Sequence, residues 1–68
     1  MYEIMLWSLT SDGKNDKVLF CKKCKTKITM NKYHLEALKL FKKLKAVNNA
    51  KLALDIYKDN KIIWFLEA

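Results

Sequence analysis

The spacing of apolar residues changes along this chain of 68 residues, and the change separates predicted strands from one predicted helix. Near both ends, apolar and β-branched residues form short segments between polar ones, which is typical of strands. Asp12-Gly13 and Asp59-Asn60 are turn signals, and the second pair suits a tight hairpin because both of its residues tolerate positive φ. The pattern predicts strands at residues 2–10, about 17–29, 51–58 and 61–67.

The segment from Met30 to about Val47 has a helical period instead. Thr29 or Asn31 is expected to cap its start, and Asn48-Asn49 is expected to interrupt its end. At about 100° per residue, one face of this helix is apolar: Met30, Tyr33, Ala37, Leu40, Phe41, Leu44 and Val47. The predicted fold is therefore α+β, a small antiparallel sheet in the order β-β-α-β-β. One amphipathic helix packs on one face of the sheet, in a single small domain over residues 1–68.

Both faces of this sheet are expected to be apolar, because the first and last strands do not alternate cleanly between apolar and polar residues. On the first strand, Ile4 and Leu6 point to one face of the sheet. On the last strand, Ile62 and Trp64 are expected to share a face. One helix covers only one face, so a homodimer or a partner protein is expected on the other, unless the sheet curls over its own side chains. The candidate interface residues are Trp7, Tyr57, Trp64 and Phe65.

The chain is strongly basic, because lysines outnumber acidic residues. Its fourteen basic residues are all lysines, and the net charge is +7. Lysine is a hydrated point charge that suits phosphate backbones and acidic protein surfaces, so binding of nucleic acid is expected to follow charge rather than base sequence. The simpler alternative is that the lysines only keep the chain soluble.

Two rows of lysines are candidates for such a surface. Lys23, Lys25 and Lys27 alternate with less polar residues, which predicts a row about 7 Å apart along the second strand. Further lysines lie on the helix, opposite its apolar face. The candidate residues for binding nucleic acid or a partner are Lys22, Lys23, Lys25, Lys27, Lys32, Lys39, Lys42 and Lys43.

The two cysteines have the spacing of one zinc-ribbon knuckle, but the second knuckle is missing. Cys21, Cys24 and His34 would supply only three ligands, and a redox pair would need a helix N-terminus that the motif lacks here. In a continuous strand, the two cysteines point to opposite faces and cannot share a metal ion. We therefore expect no cofactor, and zinc at Cys21, Cys24 and His34 remains the alternative.

The sequence contains no recognisable catalytic arrangement, so we do not expect an enzyme. The first hypothesis is a non-enzymatic protein that binds nucleic acid with little sequence preference, through its lysine-rich strand and helix. The alternative is an inhibitor or adaptor of the phage or mobile-element type, such as an anti-restriction or anti-CRISPR protein. It would bind an acidic host protein or a nucleoprotein through its apolar sheet face and strand edges.

The expected location is the cytoplasm, without membrane contact. The N-terminal residues lack the basic start of a signal peptide. The apolar run at residues 62–66 is far too short to cross a bilayer. Two cysteines are also fewer than a secreted domain of this size usually carries.

Overall fold

Four antiparallel strands and one helix form the fold in a computed structural model, which describes residues 1–48 and 51–68. The elements are β1 (Tyr2–Leu9), β2 (Asn15–Cys24), α1 (Lys27–Asn48), β3 (Leu52–Lys58) and β4 (Lys61–Glu67). The order of the strands across the sheet is β2-β1-β3-β4, and every neighbouring pair is antiparallel. The helix packs on one face, so the predicted α+β fold with element order β-β-α-β-β is confirmed.

The hairpin between β3 and β4 closes as the sequence predicts. Asp59 and Asn60 have φ angles of 51° and 68°, and the flanking residues Lys58 and Lys61 are paired. Two consecutive residues with positive φ match the twist of antiparallel strands, and Asp and Asn adopt this conformation more readily than most residues. This turn sets the register at the start of β4, where Ile62 pairs with Tyr57.

The core lies between α1 and the central strands. Ile4 and Leu6 on β1 lie beside Leu54 and Ile56 on β3, and all four are at most 2% exposed. Helix residues of the predicted apolar face close this layer from above: Met30, Ala37 and Phe41. Burial of one such large aliphatic side chain stabilises a fold by roughly 1.5–3 kcal/mol, so this layer supplies most of the stability.

The boundary between β2 and α1 differs from the prediction. β2 ends at Cys24 rather than Thr29, and α1 begins at Lys27. The cap is Thr26, because its Oγ1 accepts a hydrogen bond from the backbone N–H of Thr29 at 3.3 Å. Neither Thr29 nor Asn31 caps the helix. The β-branched residues in this segment suggest a strand, but a hydroxyl that satisfies free N–H groups favours a helix start.

The last turn of α1 also departs from the expected apolar face. Val47 is 73% exposed, while Leu38 packs against the core. The helix continues to Asn48, so the predicted interruption does not begin there. Asn49 lies outside the described residues.

Candidate functional site

The outer face of α1 is strongly basic. Lys32, Lys39, Lys42 and Lys43 are all exposed there, on the side of the helix away from the sheet, as the helical period predicts. The whole helix carries six lysines and a single acidic residue, Glu36. Opposite charges are therefore too few to neutralise this face.

The predicted lysine row along β2 is wrong. Because the strand ends at Cys24, Lys25 lies in the bend before the helix, and Lys27 is the first residue of α1. Both side chains are exposed near the N-terminus of α1, where the helix dipole is positive and the first turn holds no acidic residue. The positive charge of this segment therefore adds to the helix end and not to a strand.

The two lysines that do lie in β2 point to opposite faces of the sheet. Lys22 pairs with the helix-facing Ile4, and its Nζ lies 5.7 Å from the centre of the Tyr33 ring on α1. Lys23 pairs with Glu3 on the other face, and its Nζ lies 3.7 Å from Glu3 Oε2. Only Lys22 is therefore on the same side of the molecule as the basic helix.

The sheet face away from α1 is not covered by the helix, although neighbouring side chains of the sheet bury Ala53 and Asp55 on it. We call this surface the open face. The register places these residues on it: Glu3, Met5, Trp7, Val18, Cys21, Lys23, Ala53, Asp55, Tyr57, Ile62, Phe65 and Glu67. Phe65 is 67% exposed. Apolar area of this kind, without cover, is a sign of a binding surface.

Three of the four predicted interface residues lie on the open face, and the fourth does not. Trp7, Tyr57 and Phe65 are there, but Trp64 pairs with the helix-facing Ile56 and stacks edge-on against His34, with ring centroids 4.4 Å apart. Trp64 therefore lies on the helix-facing side, apart from the other three candidate interface residues. Its partial burial follows from the alternation of side chains over residues 64–67 of β4.

A bulge in β4 overturns a second expectation. The register shifts between Ile56 and Tyr57, so that Ile62 pairs with Tyr57, a residue of the open face. Ile62 is thus separated from Trp64, with which it was expected to share a face. One extra residue in a strand changes which side the following side chains occupy.

Asp55 is the residue of the open face that the sequence analysis did not select. It lies on β3 between Met5 and Phe65 in the neighbouring strands and is only 9% exposed. The Tyr57 hydroxyl donates a hydrogen bond to its Oδ2 at 3.3 Å. Burial raises the pKa of Asp55 and the charge of Glu67 adds to the increase, while the hydrogen bond from Tyr57 opposes it. A single acidic residue within the apolar segment of β3 was the available signal.

The cysteines lie on opposite faces, as a continuous strand predicts. Cys21 pairs with Met5 on the open face, and Cys24 pairs with Tyr2 on the helix-facing side. His34 lies against Trp64 on β4, at the far edge of the sheet from β2. These three predicted zinc ligands are therefore not brought together. In residues 1–48 and 51–68, no group of three or more His, Cys, Asp or Glu side chains is placed to hold a metal ion.

His34 is a packing residue in this arrangement. Burial against the sheet lowers its pKa, and its Nε2 atom has no hydrogen-bond partner among the described residues. Both features favour the neutral imidazole. Its ring fills space beside Trp64, which is a structural role.

Comparison with known proteins gives no functional lead. No family model, curated protein or solved structure matches this chain.

Across the described ranges, no helix is both long enough and apolar enough to cross a membrane.

Proposed function

We propose that this protein binds nucleic acid with little sequence preference, through the outer face of α1. The observation that carries the proposal is the charge of this helix, whose exposed lysines are opposed only by Glu36. Lysine side chains are long and hydrated, and they contact phosphate oxygens without a fixed geometry. Contacts to the backbone position a protein on nucleic acid but carry no base sequence information.

The opposite side of the molecule is a poor surface for phosphates. The carboxylates of Glu3, Asp55 and Glu67 all lie on the open face, where the one lysine, Lys23, is already close to Glu3. Stacking of bases on Trp7 or Phe65 would bring phosphates close to these acidic groups. The proposed binding surface is therefore the helix, extended by Lys25 and Lys27 at its N-terminal end.

The test is the salt dependence of binding to a generic DNA duplex and to a generic RNA oligonucleotide. Each phosphate contact contributes roughly 0.7–0.9 to the slope of log affinity against log salt concentration. Replacement of Lys39, Lys42 and Lys43 by glutamine should flatten that slope by about 2–3 and weaken binding to all sequences alike. Because these side chains are exposed, the fold should be unchanged.

A matched triple variant separates contacts from net charge. Lys14, Lys17 and Lys61 are also exposed but lie outside α1, so their replacement by glutamine removes the same charge and should change the slope much less. Equal effects of the two triple variants would contradict a specific helix surface. A wild-type protein that binds neither DNA nor RNA at low salt would refute the proposal.

A second candidate function is that of an inhibitor or adaptor for a host protein or nucleoprotein. The open face favours it, as do the free edges of β2 and β4, which are available for strand pairing. Under this alternative, binding to generic nucleic acid is negligible at physiological salt. Either function suits the cytoplasm, because Cys21 and Cys24 are free thiols on opposite faces of the sheet.

A further inference from the structure

Binding to phosphates does not account for the apolar residues on the outer face of α1. Ile28 and Leu35 are 84% and 61% exposed, and Ala46 is exposed as well. They recur with lysines at alternating intervals of four and three residues, which places all of them along one line of a helix. We call this line the outer stripe: Ile28, Lys32, Leu35, Lys39, Lys42 and Ala46.

The open face has the opposite charge and a similar apolar content. Its acidic residues are Glu3, Asp55 and Glu67, and its exposed apolar surface includes Phe65. In a chain with a net charge of +7, this is a local acidic patch. The outer stripe and the open face, which lie on opposite sides of the molecule, are therefore complementary in charge and in polarity.

The two surfaces also have similar lengths. The outer stripe spans about 27 Å between Ile28 and Ala46, and strands of seven or eight residues are about 25 Å long. A sheet with two apolar faces is commonly covered by helices on both. We propose that copies of this chain associate head to tail, with the outer stripe of one copy docked on the open face of the next.

The same carboxylates disfavour a second copy placed face to face. That arrangement would bury two sets of Glu3, Asp55 and Glu67 against each other without enough cations, which is costly in an apolar interface. In the head-to-tail arrangement, Lys32, Lys39 and Lys42 supply the cations instead. The repulsion between two positively charged chains is screened beyond about 8 Å at physiological ionic strength, whereas the docked groups are closer than that.

A head-to-tail contact uses two different surfaces, so every bound copy leaves one surface of each kind free. Such contacts do not close by themselves, and the assembly grows with concentration. In sedimentation velocity experiments up to about 1 mM protein, a range that includes weak contacts, the mean mass of the wild type should rise past that of a dimer. This association does not require nucleic acid, but the two compete, because both use Lys39 and Lys42 of α1.

Two variants each remove one of the two surfaces. Leu35→Gln removes the central apolar residue of the outer stripe, and Phe65→Lys places a positive charge on the open face. Both positions are exposed, so the variants should fold. For each variant alone, the dissociation constant of self-association should rise roughly tenfold or more. Mixed together, they should form one heterodimer and nothing larger, because only the open face of the first and the outer stripe of the second are intact.

The control is Val47→Gln, which changes an exposed apolar residue of the same helix outside the outer stripe; it should associate like the wild type. Ile28→Gln repeats the test on the outer stripe should Leu35→Gln fold poorly. Leu35→Gln keeps every lysine, so at protein concentrations where both are monomeric its salt slope with nucleic acid should equal that of the wild type. A wild type that stays monomeric overturns the proposal. So does a dimer that Phe65→Lys abolishes and Leu35→Gln leaves intact, since that result indicates sheet-to-sheet pairing.

Discussion

The two faces of the sheet are built from alternate residues of the same strands, yet the helix covers only one of them. On β1 and β3, Ile4 and Leu54 point towards α1 and are fully buried. Their neighbours Met5 and Asp55 point the other way, onto the open face. Both faces contain large apolar side chains, so hydrophobicity alone does not distinguish the core from the open face. The helix distinguishes them, because the only helix in the described part of the chain covers just one face.

The largest expected difference between the faces comes from two phenylalanines. Phe41 is 6% exposed on the helix-facing side, and Phe65 is largely exposed on the open face. Phe41→Ala should lower the free energy of unfolding by about 3–5 kcal/mol, which is comparable to the whole stability of a small domain. Phe65→Ala should lower it by about 0.5 kcal/mol or less. Urea unfolding followed by circular dichroism, at low protein concentration, measures both.

Similar losses in the two variants would contradict the comparison. Such a result would show that Phe65 is already covered under the conditions of the experiment. Repeating the unfolding at several protein concentrations would then identify a second copy as the cover, because association makes the apparent stability depend on concentration.

The parts of the fold that the sequence predicts correctly depend on local signals. The strict alternation in β3 and the Asp59-Asn60 turn both act within a few residues. The start of α1 was misplaced because it depends on a competition. The β-branched residues after Cys24 suit a strand, but the Thr26 side chain caps a helix. The periodic pattern of apolar residues does not predict which of the two structures forms there.

In the candidate site, too, the sequence predicts correctly only those features that depend on local signals. The exposed lysines of α1 follow from its period, so Lys39 and Lys42 were placed correctly. The lysine row of β2 depended on a strand end, and the position of Ile62 depended on a bulge. Both are set by pairing with a neighbouring strand. The environment of Asp55 likewise depends on side chains from three strands, which a single segment does not reveal.

Replacement of the cysteines should have an intermediate effect on stability. Because one cysteine lies on each face, the two replacements compare the faces with the same residue type. Cys24 packs against the core on the helix-facing side, whereas Cys21 is exposed on the open face. Cys24→Ser should cost about 1 kcal/mol, and Cys21→Ser should cost about 0.5 kcal/mol or less. Alkylation with iodoacetamide, read by mass spectrometry, should modify Cys21 first. A lower melting temperature after treatment with a chelator would contradict this assignment and support zinc.

The smallest expected effect concerns Asp55, the buried carboxylate of the open face. Burial raises the pKa of Asp55 in the folded chain, so below its ordinary pKa of about 4 the group is protonated in both states and carries no penalty. As the pH rises through the folded pKa, the unfolded chain releases its proton first, and wild-type stability falls. Asparagine does not ionise, and its amide oxygen still accepts a hydrogen bond from Tyr57. Asp55→Asn should therefore be more stable than the wild type at pH 7 and lose that advantage near pH 3.

The comparison of the two proteins isolates this carboxylate from other titrating groups. His34, whose pKa is lowered by burial, becomes charged on acidification and destabilises the wild type and Asp55→Asn alike, so the difference in melting temperature removes its contribution. Glu3, Glu67 and Tyr57, which share the open face, are present in both proteins as well. Higher protein concentration should reduce the advantage of Asp55→Asn at pH 7, because lysines of a docked copy would stabilise the charged carboxylate. An Asp55→Asn variant that is less stable at pH 7 even when dilute would show that the open face of the single chain already holds this charge favourably.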